Sequence, residues 1–402
     1  MHVITIMNKN ILLAPAGPSL NPSKYGKEYY YLQHICAEWS DAQFEAYFKE
    51  IRGIPDVPNL SANQFSDNIS RNKYYMKSFA KARDRLNTGD IDIYHQLDCH
   101  YRLINPLLIA NQINDTPTII GPAEPPHTIP DPSKKDFIRQ ASGIEWSDSS
   151  LDKMLPVMDW VRKNIYNKGR EFLFKKTLEN ADRVVVVNEE TADLYAQFIS
   201  RSKIETIPYG VVCERFNRAM PKDSVDMLAM GSLYKRKGYD VLIEAWSQIV
   251  SDFSDSTLHI LGNGPLREYL DQRIAELGIG DSVNFHGFVD RETVVEMLSS
   301  VRAFVHPSRS EGFPHVRLEA MASACPVIAT NVTGASEMIR HGTDGLVVPT
   351  GEYEPLAAAM AELLNDPEKA QAMGENALLH VKDEFDWTDI SKRFIQIYQD
   401  EL

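Results

Sequence analysis

The sequence is short of the features that would place it in a membrane, a disulfide scaffold or a metal site. Its 402 residues include four cysteines, Cys36, Cys99, Cys213 and Cys325. They lie far apart and lack the close spacing of zinc ligands, so free buried thiols in a reducing compartment are expected. No run approaches the ~18 uncharged apolar residues that a spanning helix needs. The first ten residues lack the positive-then-apolar layout of a signal peptide. Together these absences point to a cytoplasmic protein. An Asp-x-Asp ion site is missing too, because Asp90-Ile91-Asp92 reads as the entry to a strand; no metal and no resident cofactor are expected. There is no internal repeat and no low-complexity tract.

Positive charge is scarce in one half only. Residues 1–200 hold 23 Lys and Arg against 25 Asp and Glu, and the remainder holds 19 against 31, which gives most of the net charge of −14. So acidic a half is a poor polyanion binder, and nucleic acid is not an expected partner. A local nucleotide site is still allowed.

What is present is ordinary globular composition, with 43% apolar and 24% charged residues, over a length suited to two domains of roughly 200 residues each. The C-terminal half alternates short apolar runs with helical patterns. Strands are expected at Asp226–Gly231, Leu258–Gly262, Val283–Gly287, Ala303–His306, Pro326–Thr330 and Gly345–Val348. Helices are expected across Val241–Val250, Leu266–Leu277 and Arg291–Ser300. Short continuous apolar strands separated by helices of about ten residues mean βαβ units and a parallel sheet. The N-terminal half repeats this more faintly at Ile11–Ala14, Ile91–His95, Thr118–Ile120 and Val184–Asn188. Pro55–Asn72 and Pro122–Ser150 read as wet insertions. The fold class is therefore α/β, with two Rossmann-like parallel-sheet domains. The expected boundary lies in Ile207–Val225, dividing residues 1–207 from 208–385. A ligand would sit in the cleft at the carboxyl ends of both sheets.

One block carries the chemistry. Val305 to Val327 reads VHPSRSEGFPHVRLEAMASACPV: a strand, a Ser-rich turn, Glu311-Gly312-Phe313-Pro314, a helix, small residues and another strand. Gly312 is expected to allow an unusual backbone angle, and Pro314 suits the first turn of a helix. A helix starting near His315 would aim free backbone N–H groups into the cleft, a seat for phosphate or sugar oxygens. Glu311 in the loop and Glu319 just over one turn into the helix then sit at different depths of one site.

This block resembles the E-x7-E motif of the retaining glycosyltransferase family 4, the glycosyl transferases group 1, which has the GT-B fold. Further segments match in order. Gly231-Ser232-Leu233 through Lys237-Gly238 resembles the family's G-R-L…K-G segment. Leu261-Gly262-Asn263-Gly264-Pro265 resembles its G-x-G-P turn. Ile207-Pro208-Tyr209-Gly210-Val211 is similar to its I-P-N-G-V, and Ala181-Asp182-Arg183-Val184 to its A-D-x-V strand. Gly334, Glu337, Gly342, Gly345 and Val348-Pro349 follow. The match is nearly continuous from about residue 181 to 395 and thin before that. It also implies a C-terminal helix, about residues 386–402, packed back onto the first domain.

The resemblance implies roles. Glu319 would hold the ribose hydroxyls of a nucleotide-sugar donor, and Glu311 the hydroxyls of the transferred sugar. Backbone groups of Gly312, Phe313, Pro314, His315 and Val316 would line that seat. Lys237, with Gly238 behind it, would neutralise the departing diphosphate, where a preorganised cation stabilises developing charge. Gly231, Gly262 and Gly264 would line the donor side. Ser232 stands where the family has Arg, so Lys235 or Arg236 would have to supply the second cation. Sugar transfer with retained configuration, to a saccharide or lipid-linked acceptor, is the implied activity. A sugar phosphorylase of the same fold and a non-catalytic relative are the alternatives.

The acceptor side is expected in the first domain. Gly26 keeps part of a glycine-rich loop, and His95 and His127 follow strands where a histidine could orient an acceptor hydroxyl. The segment Arg71–Leu86 (RNKYYMKSFAKARDRL) carries six basic residues and one acidic, with Tyr75, Phe79 and Ala82 on a neighbouring face. Such a helix can lie on an anionic membrane, which would make the protein peripheral on the inner face of the cell membrane.

Overall fold

The structure is a computed structural model that describes residues 9–20, 27–65, 69–97, 105–110, 112–125, 167–216 and 224–402. Gly26, His127, Cys99 and most of Pro122–Ser150 lie outside the described residues.

Seven strands form the first sheet: β1 (Lys9–Leu20), β2 (Ala42–Ile51), β3 (Leu60–Gln64), β4 (Ile93–Gln96), β5 (Thr118–Ala123), β6 (Arg183–Val186) and β7 (Ile204–Thr206). Six form the second: β8 (Met227–Met230), β9 (Leu258–Leu261), β10 (Val283–Gly287), β11 (Ala303–His306), β12 (Val327–Thr330) and β13 (Gly345–Val348). Their orders are β3-β2-β1-β4-β5-β6-β7 and β10-β9-β8-β11-β12-β13. Every pairing between them is parallel. Each sheet thus reverses its strand order once, at β1/β4 and at β8/β11.

The second sheet has the strands expected of it, because β8, β11 and β12 are short and buried at every position. Burial on both faces removes the polar alternation and leaves a continuous apolar run. The helix Arg291–Leu298 begins at a side-chain cap, with Asp290 accepting from Thr293 N. In the first sheet β2, β3 and β7 were not expected, and the reading of Pro55–Asn72 as an insertion is corrected in that its Leu60–Gln64 stretch is the edge strand β3. β3 is LSANQ, with no fully buried position. It is held by backbone pairing to β2 from Phe44↔Leu60 to Phe48↔Gln64, a long-range fact that its composition does not carry.

The two domains are joined twice. Beyond β7 the chain passes Gly210, on which a Cβ would stand 2.8 Å from the Trp387 ring, and Val211 N donates to Phe385 O at 2.8 Å. The last helix, Trp387–Asp400, then packs on helix Lys27–Glu38 of the first domain. Tyr31 meets Phe394 edge-on at 5.0 Å between ring centroids, and its hydroxyl lies 2.6 Å from that of Tyr398.

Candidate functional site

The β8/β11 reversal opens a crevice, because the loops leaving these neighbouring strands part in opposite directions. The β8 loop is Gly231–Gly238 and the β11 loop is Pro307–Pro314. Gly238 holds them together. Its φ is 72°, and a Cβ would stand 2.0 Å from Pro307 O, so only glycine lets the two backbones touch. Gly262 and Gly264 pack in the same way against the backbones of Gly231 and Leu233.

Across this junction Lys237 Nζ donates to Glu311 Oε1 at 2.5 Å. Arg236 Nη1 reaches Glu311 Oε2 at 3.3 Å and Ser310 O at 3.1 Å. Glu311 is 6% exposed and is aimed from behind. The buried Arg317 donates from Nε to His306 Nδ1 at 3.0 Å. His306 Nδ1 is therefore an acceptor and its proton sits on Nε2, 3.3 Å from Ser308 Oγ. Ser308 Oγ in turn donates to Glu311 Oε1 at 2.6 Å. Burial alone would raise the Glu311 carboxyl, but His306 and Lys237 hold it well below the ordinary carboxylate range. Burial draws the Lys237 ammonium down, and Glu311 opposes it. Burial lowers His306 to about 4, which keeps it neutral.

Glu319, in helix His315–Ala322, has a separate set of neighbours. It is 3% exposed. Arg291 Nη1 lies 2.8 Å from Oε1, while Oε2 is buried without a hydrogen-bond partner. Burial raises the Glu319 carboxyl, against the pull of Arg291 and Arg215. The opening beside it is lined by Tyr30, Arg215, Phe216, Arg291, His315 and Trp387, so both domains and the hinge contribute. A carboxylate with one free buried oxygen facing an opening is suited to accepting hydroxyl protons from a ligand.

The sequence expectations fare unevenly. Glu311, Lys237, Arg236, Gly238 and Gly312 converge, as do Phe313 and His315, whose rings both contact Tyr209 at 5.4 and 4.9 Å. Pro314 is the residue before the helix rather than in its first turn, and Val316 is half-buried in that turn. Gly312 does not have the positive φ expected of it; it is small because the Glu124 side chain of the first domain lies against it. Ser232 accepts Tyr234 N through its carbonyl, and of the two candidate replacement cations it is Arg236 that reaches Glu311.

His95 is a correction. It is fully buried, with Nε2 donating to Gly121 O at 2.7 Å and Tyr398 donating to Nδ1 at 2.6 Å. Nδ1 is used in docking the last helix and Nε2 in tying β4 to β5, so both nitrogens are occupied within the fold. Gly26 and His127 are outside the described residues. Asp90 pairs with Arg85, and Asp92 accepts from Asn10 N at 2.8 Å, so both brace the first sheet. His306, Ser308, Arg317, Arg291 and Glu124 were missed. Only the Ser-rich turn before Glu311 hinted at any of them, through Ser308; the rest are brought in by the fold.

The family model for glycosyl transferases group 1 matches residues 214–380, a stretch that holds the whole Lys237–Glu311–Glu319 arrangement. This segment is a group 1 glycosyltransferase domain. A GDP-mannose-dependent monoacylated phosphatidylinositol monomannoside mannosyltransferase of Corynebacterium glutamicum is 33% identical over 51% of this chain and 58% of its own length. An alpha-D-kanosaminyltransferase of Streptomyces kanamyceticus is 36% identical over 38% and 39%. The chain thus spans about half the length of the curated relatives it matches. Among solved structures, a sucrose-phosphate synthase of Thermosynechococcus elongatus superposes with a TM-score of 0.72 at 22% identity, over 98% of this chain and 99% of that one. Anabaena HepE, solved with UDP, gives 0.68 at 17%, over 98% and 100%. At that identity the likeness speaks for the fold, which is GT-B: two parallel-sheet domains with the group 1 domain second.

Proposed function

We propose that the protein transfers a hexosyl group from a nucleotide-sugar to a saccharide or lipid-linked acceptor, with retention of configuration and without a metal ion. The observation that carries this is the Lys237–Glu311 pair at the strand-order reversal, beside a helix that starts at His315. In this reading the sugar lies on Glu311 and the backbone N–H groups of the helix start. The ribose lies on Glu319, displacing Arg291. The diphosphate meets Lys237 and Arg236, which supply the positive charge that its departure needs. Glu311 is too well tied to Lys237 and Ser308 to serve as a nucleophile. The attacking hydroxyl therefore comes in on the face that the diphosphate leaves, and a leaving phosphate oxygen takes its proton. Mannosyltransferases acting on phosphatidylinositol mannosides among the relatives favour a lipid-linked acceptor. An anionic inner-face membrane is then the natural docking surface for helix Arg71–Leu86.

Lys237→Ala and Glu311→Gln should each cut turnover roughly 10²–10³-fold while nucleotide-induced thermal stabilisation persists. Turnover is followed by product formation from UDP- and GDP-sugars, with EDTA present. Unchanged turnover in either variant would sink the assignment. Sugar release driven by inorganic phosphate alone would make the protein a phosphorylase.

A further inference from the structure

Arg317 stands in the first turn of helix His315–Ala322 with none of its surface exposed. A guanidinium taken out of water is costly unless its charge and its donors are answered. Here Nε donates to His306 Nδ1 at 3.0 Å and Nη2 to Thr330 O at 3.1 Å, while Nη1 is buried without a hydrogen-bond partner. Burial draws the group down to about 10 against the pull of Glu311, so it keeps its charge at neutral pH. An apolar side chain would fill this position at less cost, so the cation is kept for what its donors do. Both donors lead to Ser308. His306 Nε2 lies 3.3 Å from Ser308 Oγ, and the Thr330 hydroxyl donates to Ser308 O.

An arginine offers donors only. His306 Nδ1 must therefore accept, the ring proton sits on Nε2, and Nε2 donates to Ser308 Oγ. The one Ser308 proton is then left for Glu311 Oε1, 2.6 Å away, where Lys237 also donates. In the other tautomer Nε2 would be a bare acceptor, and the Ser308 proton would turn to it and away from Glu311. We infer, resting on the proposed glycosyl transfer, that Arg317 is a positioning residue for that reaction: it locks His306 as a donor and so sends the Ser308 hydroxyl onto Glu311, fixing the carboxylate that grips the transferred sugar. Charge adds a second effect. His306 faces Glu311 on the β11 loop, Arg317 on the helix and Lys237 on the β8 loop, with Nε2 3.5 Å from Glu311 Oε1. Burial is the main reason that His306 is held at about 4; Glu311 pulls it up, and Arg317 and Lys237 push it down. Without Arg317 the ring has a free Nδ1 and one cation fewer beside it, and its pKa moves up toward the ordinary 6.5. A charged His306 then competes with Lys237 for Glu311 Oε1.

The test follows nucleotide release from UDP-glucose and GDP-mannose by the full chain between about pH 5.5 and 8, with each variant's kcat taken as a ratio to wild type. Arg317→Met is expected to cut kcat roughly 10-fold at the alkaline end, the worth of a hydrogen bond to a charged group, and roughly 3- to 10-fold further at the acid end. Binding of bare UDP or GDP should change little. The double variant Arg317→Met/His306→Gln should keep the first loss and not the second, because an amide does not titrate. His306→Leu should also cut kcat roughly 10-fold, and His306→Gln, which accepts from Arg317 and donates to Ser308 at once, should recover most of that. Ring-nitrogen NMR, with His306 assigned by its absence from His306→Gln, should show Nε2 protonated and Nδ1 bare in wild type. Equal, pH-independent losses in Arg317→Met and the double variant would mean that Arg317 only packs the core, and would overturn the inference. So would a proton on Nδ1, or equal losses in His306→Leu and His306→Gln; these two decide the matter if Arg317→Met does not fold. A wild-type chain that turns over no nucleotide-sugar overturns the transfer reading and this role with it, whereas an active wild type with those flat, equal losses overturns the role alone.

Discussion

Two histidines illustrate how individual side chains gain their roles here. His306 and His95 both lie at strand ends, on β11 and β4, and both are fully buried and neutral. One aims Glu311 through Ser308, and the other receives Tyr398 and docks the last helix. Burial lowers both to about 4 in the folded protein, against an ordinary 6.5. The unfolded chain therefore takes up two protons near pH 6.5 that the folded chain refuses until near pH 4. Stability from these groups is fully present above 6.5 and falls as pH drops toward 4, by about 1.4 kcal/mol per pH unit for each histidine. Urea unfolding between pH 7.5 and 5 should show this decline, and His95→Phe, whatever its baseline, should roughly halve its slope. A slope unchanged by that substitution would mean that His95 is not the buried neutral group described.

At the scale of the element, helix Arg71–Leu86 shows how a sequence pattern can be right about a helix and leave open what its apolar face meets. The Ser70 side chain caps it by accepting from Lys73 N. Tyr75, Phe79 and Ala82, the apolar face available for a bilayer, are instead packed into the first domain with Tyr74 and Leu86. Exposed on the helix are Lys73, Lys77 and Lys81, with Met76 at 69% exposure between them, and Arg83, which pairs with its neighbour Asp84 at 3.4 Å. Arg85 is occupied by Glu45 and Asp90. Any membrane binding is then electrostatic adsorption, not insertion. Each lysine is worth about 1 kcal/mol at an anionic surface. Changing all three to Glu should abolish co-sedimentation with phosphatidylserine vesicles at low salt, and 0.5 M salt should do the same to wild type by screening. Wild type that fails to sediment at low salt would remove the membrane from the account. Among the described residues no helix is long and apolar enough to cross one.

For the whole molecule the decisive feature is a reciprocal clasp between domains, away from the reacting groups. Glu337 accepts from Glu189 N at 2.8 Å and from Glu190 N at 3.1 Å, capping helix Glu189–Ala196 of the other domain. Glu190 returns the contact by accepting from Gly334 N at 2.9 Å. Helix N-termini hold carboxylates through free N–H groups and the axial dipole. The clasp thus favours the closed arrangement in which Glu124 meets Gly312. Glu337→Ala removes two charge-assisted hydrogen bonds, and the ligand-free protein should shift to a larger radius of gyration in solution scattering. An unchanged radius would show that the two covalent crossings and the last helix set the closure without it.

The sequence alone determined the second domain almost completely. Strands buried on both faces leave unbroken apolar runs, and the residues around Glu311 and Glu319 stand close together in the chain, where spacing can be read directly. It also supplied Lys237, whose glycine partner marks a turn. It could not reveal β3, whose place comes from pairing with β2, or the true duty of His95, since a strand-end histidine looks the same whether it faces a cleft or a core. Nor could it pair Glu124 with Gly312, 188 residues apart, because that contact exists only when two sheets close on one another. Local periodicity and turn chemistry are written into neighbouring residues; which carboxylate reaches across a cleft is settled by packing between domains.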